Sequence, residues 1–100
     1  MLADSVHAHG AKLGLQIFHP EYDCDALNAL FAKGEMEQVR KRLHHDMDFF
    51  VDEVTEDALM LIIEKMCACA VRAQKAGADA IQVHGDRLVG ALCSRQMNHR

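Results

Sequence analysis

The chain predicts an α/β fold built around one parallel strand-helix-strand unit. Three observations carry that expectation. Two short apolar runs, KLGLQIF at 12–18 and AIQV at 80–83, alternate at period two. Between them lies a long amphipathic segment, from Thr55 to about Ala76, with start and stop signals at its ends. A strand, a crossover helix and a second strand of this length form a βαβ unit, which is parallel and right-handed by strong preference.

The elements follow in order. Leu2 to His9 reads as the end of a helix with Leu2, Val6 and His9 on one face. Gly10 sits where a left-handed C′ residue is wanted. Lys12 to Phe18 is the first strand, with Leu13, Leu15 and Ile17 on one face and Gln16 on the other. His19-Pro20 ends it, because proline cannot donate to a ladder. Residues 21 to about 52 read as an insertion with structure of its own, since a gap of that length is not an ordinary loop. Within it Ala26 to Ala32 is apolar, Gly34 breaks the run, and Glu35 to Phe50 is charged and partly helical. Val39, Leu43 and Met47 give that stretch a narrow apolar stripe.

Thr55 has the character of an N-cap, followed by Glu56 and Asp57, where the helix dipole favours negative charge. Leu59, Ile62, Ile63, Met66, Ala70 and Ala73 supply one apolar face, and Gly77 closes the helix. Ile81 and Val83 mark one side of the second strand. His84-Gly85-Asp86-Arg87 leaves it, and Leu88 to Cys93 begins a further helical turn. The βαβ core is thus about 12–20 with 55–87. Parallel sheets are covered on both faces, so two strands imply a slice of a larger α/β fold or completion by association.

Composition narrows the function classes. With 11 Lys and Arg against 15 Asp and Glu, the formal charge is -4, and one tyrosine and no tryptophan accompany it. That lacks the basic stripe and stacking aromatics of a nucleic-acid binder. No apolar run approaches the roughly 18 to 20 residues that span a bilayer. The first ten residues lack a basic n-region, so a cytoplasmic protein with reduced thiols is expected.

No metal site is expected. Cys67 and Cys69 are two apart on a helix and point about 200° apart. His44, His45 and Asp46 are adjacent, diverging by about 100° per residue, which predicts exposed histidines. Asp23, Asp25 and Asp48 lack calcium-loop spacing.

In α/β folds ligands sit at the carboxyl ends of the strands, and two polar clusters fall there: Gln16 to His19, and His84 to Arg87. A glutamine in an apolar strand needs a partner for its amide. Either a ligand with donors and acceptors supplies one, or the neighbouring backbone does. The HGDR segment groups an imidazole, a carboxylate and a guanidinium. It can bind an anionic or carbonyl substrate and move a proton, or it is an Asp-Arg surface pair beside a core histidine.

Together HAHGAKLGLQIFHPEYD, VTEDALMLIIEKMCACAVRAQKAGADAIQVHG and the closing SRQMNHR resemble the flavin barrel of the old yellow enzyme family. That family includes NADH:flavin oxidoreductases and 2,4-dienoyl-CoA reductases. The likeness covers nearly the whole chain and is weakest at about 24–50. It implies a partial TIM (β/α)8 barrel, roughly the third strand through the fourth. The parent would be an FMN-dependent ene-reductase that uses NAD(P)H to reduce activated C=C bonds of a small-molecule substrate: an enoate, a dienoyl-CoA or a tetrapyrrole such as bilirubin. Any iron–sulfur cluster or FAD would belong outside these 100 residues.

By the same resemblance, Gln16 hydrogen-bonds the pyrimidine side of FMN and His84 holds the substrate's electron-withdrawing oxygen. Asn98 and Arg100 match an N-x-R pattern of structural residues. Two departures stand out. HPEYD replaces the more usual HAGR. The loop after His84 is shorter than the usual HGAHGY and has no tyrosine, so Asp86 and Arg87 take its place. HGDRLVGALCS looks most like the bilirubin reductase subgroup, in which an Asp-Arg pair serves proton delivery, and an arginine suits a propionate-bearing tetrapyrrole. The isolated chain is expected to be an inactive fragment. The alternative is a non-catalytic structural βαβ piece that is inert or self-associates through open strand edges.

Overall fold

The computed structural model describes residues 1–100. It is a mixed α/β structure, mostly helical, with one small parallel sheet. The elements are α1 (Leu2–His7), β1 (Gly14–Ile17), α2 (Cys24–Ala32), α3 (Met36–Glu53), α4 (Glu56–Lys75), β2 (Ala80–Val83) and α5 (Leu88–Cys93). They fall into two compact units: Met1–His19 with Glu56–Gly85, and Pro20–Thr55 with Asp86–Arg100.

The first unit holds the sheet. β1 and β2 pair in parallel with Gly14 opposite Ala80, Leu15 opposite Ile81, Gln16 opposite Gln82 and Ile17 opposite Val83. In β1 burial alternates, with Leu15 and Ile17 covered and Gly14 and Gln16 exposed, as a half-buried strand requires. Ile62 and Ala73 of α4 are buried, with Leu59, Met66 and Ala70 half-buried. Ile63, expected on the inner face, is 50% exposed. It lies 100° beyond Ile62, and the inner stripe continues through Met66 instead.

α1 differs from expectation in the same way. Leu2 is 68% exposed, and Ala3 is the residue buried. The reason is Gly77, whose φ of +94° turns the chain out of α4 and whose missing side chain leaves room for Ala3. The segment after Gly77 is then tied down by Asp79. Its carboxylate accepts from the Leu13 backbone N–H at 2.8 Å, pairs with His7 Nε2 at 2.6 Å and takes Lys12 Nζ at 3.3 Å. These bonds hold the Asp79 carboxyl down at about 2, the Leu13 amide contributing most.

The second unit packs Leu27, Val51, Val54, Leu88 and Ala91. Its polar centre is Asp46, 2% exposed, which accepts from the Asp23 backbone N–H at 3.0 Å and from Arg42 Nε at 2.8 Å. Asp23 in turn caps α2, its Oδ1 accepting from the Ala26 N–H at 3.0 Å. The expected stripe of Val39, Leu43 and Met47 gives way after Leu43, leaving Met47 45% exposed. A strict four-residue step overshoots a full turn by about 40°, so the inner face moves back to Asp46.

The closing segment is clamped to the end of α3. Asn98 Nδ2 donates to the Leu92 carbonyl at 2.8 Å. Arg100 Nη1 donates to the carbonyls of Val51, at 3.0 Å, and Val54. His99 pairs with Asp52 through both its backbone N–H and Nδ1.

Candidate active-site residues

Two parallel strands put their carboxyl ends side by side, so the first unit presents one candidate edge. Gln16 and Gln82 are register partners, and Gln16 Nε2 donates to Gln82 Oε1 at 2.9 Å. The amide of Gln16 is therefore paired by a side chain, not by neighbouring backbone. Both residues are exposed, on the strand face opposite Leu15 and Ile81. Their mutual bond leaves Gln16 Oε1 to accept and Gln82 Nε2 to donate. A ring edge carrying both a donor and an acceptor complements that pair.

His84 stands one residue past β2. Its backbone N–H donates to the Ile17 carbonyl at 2.9 Å, which extends the ladder and fixes where the imidazole leaves the sheet. The half-buried ring meets Phe18 edge-on at 6.0 Å between centroids. Gln16 and His84 thus lie at the same end of the sheet, on neighbouring strands.

Asp86 and Arg87 belong to the second unit, where both are exposed and Arg87 leads into α5. The Arg87 carbonyl accepts from the Ala91 N–H at 2.9 Å. Its guanidinium Nη1 lies 3.7 Å from Glu21 Oε1.

The HHD string does not converge. His45 Nε2 pairs with Glu53 at 2.9 Å and its ring lies 5.0 Å from that of Phe49, while Asp46 turns inward. Two residues escaped the sequence reasoning. Gln82 sits in AIQV at the same strand phase as Gln16 in GLQI, and that repeated phase is the signal that could have found it. Glu21 has only the weak signal of a carboxylate directly after a strand-ending proline.

The sequence model of the NADH:flavin oxidoreductase / NADH oxidase family matches residues 1–100. A bilirubin reductase of Mediterraneibacter gnavus (strain CC55_001C) is 56% identical over 99 residues, covering 99% of this chain and 15% of that protein. A bilirubin reductase of Clostridium symbiosum (strain WAL-14163) is 28% identical over 104 residues, covering 99% of this chain and 28% of its own length. An NADPH dehydrogenase of Halalkalibacterium halodurans is 30% identical over 82 residues, covering 82% of this chain and 22% of that protein. The chain therefore spans between 15% and 28% of the length of these relatives. No solved structure matches it.

Proposed function

The chain belongs to the NADH:flavin oxidoreductase / NADH oxidase family, and from that premise we propose that it forms the third-strand to fourth-strand segment of an FMN-binding β/α barrel. The parent is an NAD(P)H-dependent oxidoreductase that reduces an activated C=C bond, with a carboxylate-bearing tetrapyrrole such as bilirubin as the acceptor. The observation that carries the reading is the Gln16–Gln82 amide pair beside His84 at the carboxyl ends of two parallel strands. The name and 56% identity of the Mediterraneibacter gnavus relative support the choice of acceptor.

FMN fits the residues present. Gln16 Oε1 and Gln82 Nε2 offer one acceptor and one donor to the pyrimidine side of the ring. When bound, FMN would supply the hydride-transfer chemistry between NAD(P)H and the activated C=C bond. The protein's part is orientation and proton handling. His84 donates a hydrogen bond to the electron-withdrawing oxygen of the acceptor and so polarises the double bond. Arg87 binds a carboxylate of the acceptor, and Asp86 passes a proton drawn from solvent to the alkene carbon that does not receive the hydride.

The uncovered surfaces support a segment that packs against further barrel strands and helices. Met60, Leu61, Ile63 and Val71 of α4 are each about half exposed, as is Val83 of β2. A parallel sheet is ordinarily covered on both faces. The same surfaces favour self-association when the segment is isolated. No helix is long and apolar enough to cross a membrane. The cytosol, where NAD(P)H and free thiols coexist, is the compartment we propose.

The test uses the full-length protein carrying this segment, supplied with FMN. Gln16→Leu should weaken FMN retention about tenfold, the worth of one amide pair. Asp86→Ala and Arg87→Ala should lower turnover while flavin content stays constant. A colourless wild-type protein sinks the reading. So do full flavin occupancy in Gln16→Leu and unchanged turnover in both loop variants.

A further inference from the structure

Glu21 has no part in that chemistry. It follows Pro20 in the HPEYD string and is 9% exposed. Its Oε2 is buried with no hydrogen-bond partner. Its Oε1 lies 3.7 Å from Arg87 Nη1, within ion-pair reach but too long for a hydrogen bond. A buried carboxyl oxygen without a donor is costly, so its place here calls for an explanation.

The two partners are unequally placed. The Glu21 side chain is 12% exposed and that of Arg87 is 49% exposed. The carboxylate is the fixed member, and the guanidinium is the member that reaches outward. Arginine carries five N–H donors in a planar fork, so engaging one edge leaves another free to grip a second carboxylate bidentately.

We infer that Glu21 is a positioning residue for Arg87: its buried carboxylate holds one edge of the guanidinium and turns the other toward an anionic group of the acceptor. This rests on the role proposed above for Arg87. Glu21 acts through Arg87, and no contact with the acceptor is assigned to it. It restricts the Arg87 rotamers, and the entropy of ordering that long side chain is then spent before the acceptor arrives.

The experiment uses the full-length, FMN-loaded protein with two probes, bilirubin and bilirubin dimethyl ester, which lacks the carboxylates. Glu21→Gln should raise KM for bilirubin about threefold, the worth of one half-exposed ion pair, with kcat and flavin content unchanged. The ester should show no change. In an Arg87→Ala background the same substitution should have no further effect. Glu21→Asp retains the charge on a shorter arm and should raise KM less, and it replaces Glu21→Gln if that variant fails to fold. An unchanged KM, an equal loss on the ester, or losses that add in the double variant would each overturn the inference. A wild-type protein that binds and reduces neither probe fails at the earlier step, the proposed function, and takes the inference with it.

Discussion

Substitution of Gly77 tests how the first unit launches β2 toward its site residues. At φ +94° an L-residue is strained by roughly 1 to 2 kcal/mol. A Cβ at Gly77 would also lie 2.7 Å from the Ala3 Cβ. Both atoms belong to short, stiff attachments, so backbone must move, at about 1 to 3 kcal/mol for an overpacked contact. Gly77→Ala should therefore destabilise the unit by about 3 kcal/mol. Gly10 provides the control, because it has φ +71° and nothing within 4 Å of its Cβ position. Gly10→Ala should cost only about 1 kcal/mol. The difference of about 2 kcal/mol is roughly a 30-fold change in the local opening equilibrium. Hydrogen exchange reads it directly at the Ala78 amide, bonded to the Ala73 carbonyl, and the Asp79 amide, bonded to the Leu13 carbonyl. Adding Ala3→Gly should recover most of the difference by removing the colliding methyl. Equal exchange rates in Gly77→Ala and Gly10→Ala, or no recovery with Ala3→Gly, would refute the steric argument.

Two further expectations concern the second unit. Asp46→Ala strands the Asp23 backbone N–H and leaves Arg42, 44% exposed, to water and to the Asp23 carboxylate 3.7 Å away. The cost should be about 2 to 3 kcal/mol, with faster exchange at the Asp23 and Ala26 amides; Asp46→Asn, which keeps an acceptor, should lose about half as much. The Asp52–His99 pair predicts a pH window. Bonding to Asp52 raises the His99 pKa above 6.5, so its contribution is complete below that value and is lost as pH rises through the raised pKa. Bonding to His99 lowers Asp52 below 3.8, so that contribution is present above 3.8 and is lost as pH falls through the lowered pKa. Exchange of the His99 amide, which donates to Asp52 Oδ1, should be slowest relative to its intrinsic rate between about pH 4 and 6.5. His99→Gln should abolish the alkaline limb, and a flat relative profile in the wild type would dispose of the pair.

Much of the local structure was legible from residue order. Period-two runs located both strands, and Thr55, Glu56, Asp57 and Gly77 bracketed α4. These features depend on each residue's own backbone and its near neighbours, which is what a linear sequence records. The inward faces were read less well where small errors of phase accumulate. Leu2 yielded to Ala3, Met47 to Asp46, and Ile63 turned out toward solvent. An apolar pattern names candidates for a face, but packing chooses among residues only 100° apart.

The candidate site divides along the same line. Strand-end position and residue type drew attention to Gln16, His84, Asp86 and Arg87, and the whole-chain family match agrees with the motifs that surround them. Side-chain partnerships were out of reach. Gln82 lies 66 residues from Gln16, and Arg87 lies across the chain from Glu21, so neither pair has a local signature. The sequence by itself determined the elements and the parallel crossover, because short-range sterics, hydrogen bonding and chain handedness set them, and its likeness to a known family supplied the flavoenzyme motifs. Only the tertiary structure decided which amide faces which, which carboxylate is buried and which cation answers it. Those choices depend on register and burial, and both exist only once distant segments have met.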